Sequence, residues 1–120
     1  MAESSAHISY VEQIRSYINK EFTSEISAFV LYDTPDSKEK PPTVGQFRPD
    51  VYFRTNNVLI IGEAKTDSDF DRPHSIWQYT AYLNECKLFP GESYLILSGS
   101  WQISISFKKL IKRLVLDNNF

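Results

Sequence analysis

The 120-residue chain has one cysteine, four glycines and two histidines, so it is poor in several residue types from which sites are built. With Cys86 alone, an internal disulfide and a cysteine zinc cluster are excluded, and the lone thiol suits a reducing cytosol. No glycine-rich, phosphate-cradling loop is present, which argues against a hydrolase of small phosphoesters. No apolar run approaches the roughly 20 residues that cross a membrane. The opening MAESSAHIS has neither a basic region nor an apolar stretch, so no signal peptide is expected and the chain reads as soluble and cytoplasmic. Basic charge is not in excess: the net charge is −2, so any nucleic-acid-binding surface has to be local. Repeats and low-complexity segments are absent. What remains is ordinary globular composition, 42% hydrophobic and 23% charged, and residues 1–120 are long enough for one domain with a real core.

Ile8, Val11, Ile14, Ile18 and Phe22 recur at helical spacing and predict an amphipathic helix from about Ser5 to Glu21, capped by Ser4 or Ser5. Ile26–Tyr32 is rich in β-formers and reads as a strand. Asp33–Gln46, with three prolines, reads as a loop. Thr66–Pro73 is a polar turn leading into a helix over about His74–Lys87, with Ile76, Tyr79, Thr80, Leu83 and Cys86 towards the core. Tyr94–Ser98 is a second short apolar strand; because it follows a helix, it is expected to lie parallel to the strand before that helix. Residues 101–106 are ambiguous between strand and helix entry, and Phe107, Leu110, Ile111, Leu114 and Val115 mark a last amphipathic helix.

The stretch that organises the chain is Phe47–Lys65. Val58–Ile61 is a continuous apolar run, as expected of a strand buried on both faces. Phe47–Arg54 alternates, with Val51 and Phe53 on one face and Asp50, Tyr52 and Arg54 on the other. Asn56-Asn57 between them fits a two-residue type I′ turn, since Asn tolerates the positive φ required. That turn sets Asp50 directly opposite Glu63, whereas a three-residue loop would set it against Gly62. Like charges directly opposite each other are destabilising. Two carboxylates converging there are explained most simply by a divalent cation held between them. Lys65 points to the same face and adds an ammonium, giving the layout of a metal-dependent phosphodiesterase.

Other acids and bases are less decided. Glu12, at the border of the first helix's apolar stripe, is either a surface glutamate or a carboxylate reaching inward; Glu21, near the helix end, is the weaker candidate. Asp67, Asp69 and Asp71 match the opening of a calcium loop. However, Arg72 and Gln78 stand where that loop needs Gly and Glu, so a solvated acidic turn is expected. Lys108, Lys109, Lys112 and Arg113 form a basic face on the last helix, either for phosphate contact or merely solvated. His7 and His74 read as ordinary surface residues, and Trp77 and Trp101 as core or interface.

Pro49-Asp50 on one strand and Glu63-Ala64-Lys65 on the next, in the order helix, three strands, helix, strand, resemble the PD-(D/E)XK nuclease superfamily. Within it, FRPDVYF, IIGEAKT and a helix with Gln78 and Tyr82 in a Q-x-x-x-Y pattern look most like virus-type replication-repair (VRR-NUC) nucleases or Holliday-junction resolvases. The resemblance implies an α/β, restriction-endonuclease-like αβββαβ core, a mixed central sheet flanked by helices. It implies that Asp50, Glu63 and the Ala64 carbonyl bind Mg²⁺ or Mn²⁺, with Glu12 completing the site, and that Lys65 orients water or stabilises developing charge. It places Gln78 and Tyr82 near the DNA backbone.

The expected activity is therefore metal-dependent endo- or exonucleolytic hydrolysis of DNA phosphodiesters, in repair, recombination or replication. The expected partner is DNA, with junction, flap, end and duplex all open as the preferred form, branched or flapped DNA among them, and a homodimer would suit a junction. The rival reading is a catalytically silent nucleic-acid-binding or protein-interaction module on the same fold. Paired acids argue against it, because binding alone does not require them.

Overall fold

A computed structural model describes residues 4–120. Helix α1 spans Ser5–Glu21, as its periodicity predicts, and the Ser4 hydroxyl accepts a hydrogen bond from the His7 amide at 3.1 Å to cap it. A short helix α2 (Ser24–Ser27) and strands β1 (Leu31–Tyr32), β2 (Val51–Arg54) and β3 (Val58–Ala64) follow. Then come α3 (Pro73–Leu88), β4 (Glu92–Ser98), a 3₁₀ turn (Trp101–Ile103) and α4 (Ser104–Asp117). The sheet order is β1-β2-β3-β4, with the first three strands antiparallel and β4 parallel to β3. The chain is thus mixed α/β, a four-stranded mixed sheet flanked by helices. None of the described helices is long and apolar enough to cross a membrane.

Alternation along the strands sorts the core into two sides. Val51, Phe53 and Ile60 pack with Val11, Ile14 and Ile18 of α1 on one face. On the other, Leu59 and Ile61 pack with Tyr82 of α3, while Tyr79 meets Phe107 and Leu114 of α4. Gly62 lies where α1 presses on the sheet. A Cβ there would come within 2.8 Å of Val51 Cβ and 3.3 Å of Ile14 Cγ2. Gly62→Ala is therefore expected to destabilise the fold by about 1–3 kcal/mol through overpacking, read as a lower urea midpoint at unchanged slope.

Three local expectations are corrected. Ile26–Tyr32 is not one strand: Thr23 caps a helical turn over Ser24–Ser27, its hydroxyl accepting from the Ile26 amide at 3.4 Å, and only Leu31 and Tyr32 find a partner, on β2. The strand before the hairpin turn begins at Val51 rather than Phe47, because Val44 and Phe47 bridge to each other around Gly45 (φ 55°) and Gln46 (φ 79°). Asn56 and Asn57 themselves lack positive φ, so the turn between β2 and β3 is not type I′. Thr55 closes it instead, its Oγ1 accepting from the amides of Asn57 at 3.2 Å and Val58 at 3.1 Å. The predicted register survives, with Val51 opposite Gly62 and Phe53 opposite Ile60.

Candidate active site

That register carries Asp50, one residue before β2, opposite Glu63 on β3. The ladder fixes their relation. Val51–Gly62 and Phe53–Ile60 alternate with non-hydrogen-bonded pairs, where side chains stand closest, and Asp50–Glu63 falls in that second class. Both carboxylates are buried, at 6% and 4% exposure. Asp50 Oδ2 accepts from the Ala64 amide at 2.8 Å, so the Ala64 backbone faces the β2 side, where Asp50 lies, and its carbonyl points the same way.

Lys65 is buried too, with Nζ 3.9 Å from Glu63 Oε2 and donating to Gln78 Oε1. The Tyr82 phenol donates to Glu63 Oε1 at 3.0 Å. Gln78 and Tyr82, one turn apart on α3, thus face the sheet and hold Lys65 and Glu63 at the end of β3. The core stripe of α3 is broader than the sequence suggested: Ser75 and Gln78 are buried alongside Tyr79 and Tyr82.

A further group enters from the opposite face of the sheet. His7, in the first turn of α1, places Nε2 3.2 Å from Asp50 Oδ2. One ligand atom from each of His7, Asp50 and Glu63 lies within 4.8 Å of the others. Counting the apolar stripe of α1 from Ile8 puts His7 on the surface, yet Ile8 is itself 41% exposed. Spacing was the available signal, because His7, Val11, Ile14 and Ile18 follow one another by four, three and four residues along one helical face.

Electrostatically the site is unbalanced. Burial, followed by the neighbouring charge of Asp50, pushes the Glu63 carboxyl well above its ordinary value, and Lys65 and Tyr82 offset this only in part. Burial also works to raise Asp50, but hydrogen bonds from His7, Glu63 and the Ala64 amide outweigh it and leave Asp50 below the usual carboxylate range. Of the two acids, Glu63 is therefore the one that holds a proton to higher pH. Burial and the Glu63 charge raise the Tyr82 phenol strongly, so Tyr82 stays a donor.

The remaining proposed residues lie elsewhere. Glu12 is exposed and pairs with Arg15 at 3.3 Å, and Glu21 is exposed at the end of α1; neither joins the cluster. Lys108, Lys109, Lys112 and Arg113 are exposed on α4, Lys108 and Lys112 lining a groove beside β4. Asp67 and Asp69 accept hydrogen bonds from Ser100 and Thr66 in an exposed turn, as a solvated acidic turn should. Trp77 and Trp101, expected in core or interface, are exposed at 63% and 81%.

No protein-family model, curated protein or solved structure matches the chain. The fold class stands on the sheet and its flanking helices, and the chemistry has to be read from the cluster itself.

Proposed function

We propose that the chain is a metal-dependent nuclease of the PD-(D/E)XK type, hydrolysing DNA phosphodiester bonds at the cluster of Asp50, Glu63 and Lys65. The observation that carries the reading is the pair of buried carboxylates set opposite each other beside a buried lysine. A fold does not bury such a pair for stability, since each acid raises the cost of the other's charge.

The donor set suits a divalent ion. Two carboxylate oxygens and an imidazole nitrogen converge within 4.8 Å, and the Ala64 carbonyl points to the same side. Mg²⁺ prefers oxygen, so the imidazole of His7 tilts the choice towards Mn²⁺. Bound there, such an ion would polarise a phosphoryl oxygen and lower the pKa of water. The chain's own groups do the rest. Asp50 and Glu63 would hold the ion through their carboxylate oxygens. Tyr82 and the Ala64 amide fix one oxygen of each carboxylate, and Gln78 keeps the Lys65 ammonium where negative charge develops on the phosphate.

Thermal melting with added metal tests the site. Mn²⁺ is expected to raise the melting temperature of the parent more than Mg²⁺ at equal concentration. Asp50→Asn should remove both shifts. His7→Ala should lower the Mn²⁺ shift and bring the two metals level. Equal Mn²⁺ shifts in the parent and Asp50→Asn would place the ion elsewhere and defeat the reading.

A further inference from the structure

We propose that the outer edge of β4 is a docking groove for an extended, acidic segment of another polypeptide, which joins the sheet as a fifth strand. This stands apart from the nuclease reading, since none of the groove's argument passes through Asp50, Glu63 or His7.

Among the described residues β4 is an edge strand, paired with β3 on one side only. Two inward bonds fix the direction of its backbone groups: Glu92 N–H donates to Asn57 O at 2.9 Å, and Ser98 O accepts from Lys65 N–H at 2.9 Å. Alternation then turns the N–H and C=O groups of Ser93, Leu95 and Leu97 outward. Such a row is a template for another strand, and proteins usually blunt it with proline, lysine or a short edge. β4 has none of these devices. It runs seven residues without Pro or Lys, and its one charged residue, Glu92, stands at the start.

The edge is also recessed. A groove of about 960 Å³ follows it, with Tyr10 and Gln13 of α1 on one side, Ile111 and Val115 of α4 on the other, and Leu95 and Leu97 between. Trp101 and Leu116, 81% and 73% exposed, also line it. Lys108 and Lys112 are its only charged lining residues, and no acid lines it among the described residues.

Three features select the occupant. The outward amides and carbonyls, spaced as in a strand, fit the main chain of an extended peptide of six or seven residues, roughly 20 Å long. The two lysines call for acidic side chains on that peptide, and the aliphatic and aromatic walls for apolar ones between them. A second copy fits poorly. Antiparallel pairing of two β4 edges would bring α4 against α4, each with Lys108, Lys109, Lys112 and Arg113, and two recessed edges do not approach to the ~4.8 Å of paired strands. Single-stranded nucleic acid could stack its bases on Tyr10, Trp101 and Phe107, but it offers no alternating N–H and C=O row to pair with the outward groups of Ser93, Leu95 and Leu97.

A random dodecapeptide phage library panned on the whole protein tests this, followed by binding of the enriched peptides and amide hydrogen exchange. Enriched sequences should alternate apolar with acidic residues. Their binding should slow exchange at Ser93, Leu95 and Leu97 and fall at least tenfold in Lys108→Glu/Lys112→Glu and in Leu116→Glu, all changes at exposed positions. The proposal is overturned if no peptide is enriched or if the variants bind as tightly as the parent. It is equally overturned if the same amides are protected by labelled oligothymidine, or by raising the protein's own concentration.

Discussion

Glu63→Gln is expected to make the metal-free protein more stable while removing its response to Mn²⁺. The two effects share one cause. Glu63 is buried opposite Asp50 and keeps its proton far above the pH at which an ordinary glutamate, near 4.5, gives it up. The unfolded chain ionises at that ordinary value. As pH rises past 4.5 the unfolded state therefore sheds a proton that the folded state retains, and stability is lost until the folded carboxyl titrates in turn. Glutamine reproduces the neutral, hydrogen-bonding form at every pH. The two proteins should melt alike in acid and separate at neutral pH, with the variant ahead by about 1 kcal/mol, the size of a like-charge cross-strand penalty. The variant also lacks the anionic ligand, so Mn²⁺ should no longer raise its melting temperature. Urea denaturation at two pH values, with and without the metal, measures both. A variant less stable than the parent at neutral pH would mean that the carboxylate pair is a structural asset.

Lys65→Ala is expected to lower the rate of metal-dependent DNA cleavage by about 10²–10³-fold, the loss typical of removing one preorganised charge from a transition state. Ground-state properties should change differently. Lys65 stands 3.9 Å from Glu63, so its removal takes a positive charge away from the ion site, and Mn²⁺ should bind at least as tightly. Single-turnover cleavage beside a Mn²⁺ melting titration separates the two effects. Loss of Mn²⁺ binding together with activity would recast Lys65 as a structural support of the carboxylates.

How much was legible in the sequence depended on whether the signal was local. Helix α1 and the register between β2 and β3 were readable because apolar spacing and a two-residue loop fix them within a few residues. From that register came the pairing of Asp50 with Glu63 and the shared face of Lys65. The turn type was misread because Asn56-Asn57 suggested positive φ, while the Thr55 hydroxyl offered a competing way to satisfy the turn amides. Ile26–Tyr32 was misread because β-propensity at Ile26 and Phe29 says nothing about whether a neighbouring strand reaches them. His7 was missed for a tertiary reason. Its contact with Asp50 spans 43 residues and depends on α1 crossing the opposite face of the sheet. The contacts of Gln78 and Tyr82 with Lys65 and Glu63 likewise exist only once α3 is laid over β3.

Whether this cluster cuts DNA is decided by incubating the intact protein with end-labelled duplex, single-stranded, flapped and four-way-junction DNA in Mn²⁺ or Mg²⁺ at low salt. Cleavage of at least one substrate is expected, abolished by EDTA and by Asp50→Asn. A folded protein that binds Mn²⁺ at the cluster and leaves every substrate intact would contradict it, and the fold would then serve binding without turnover.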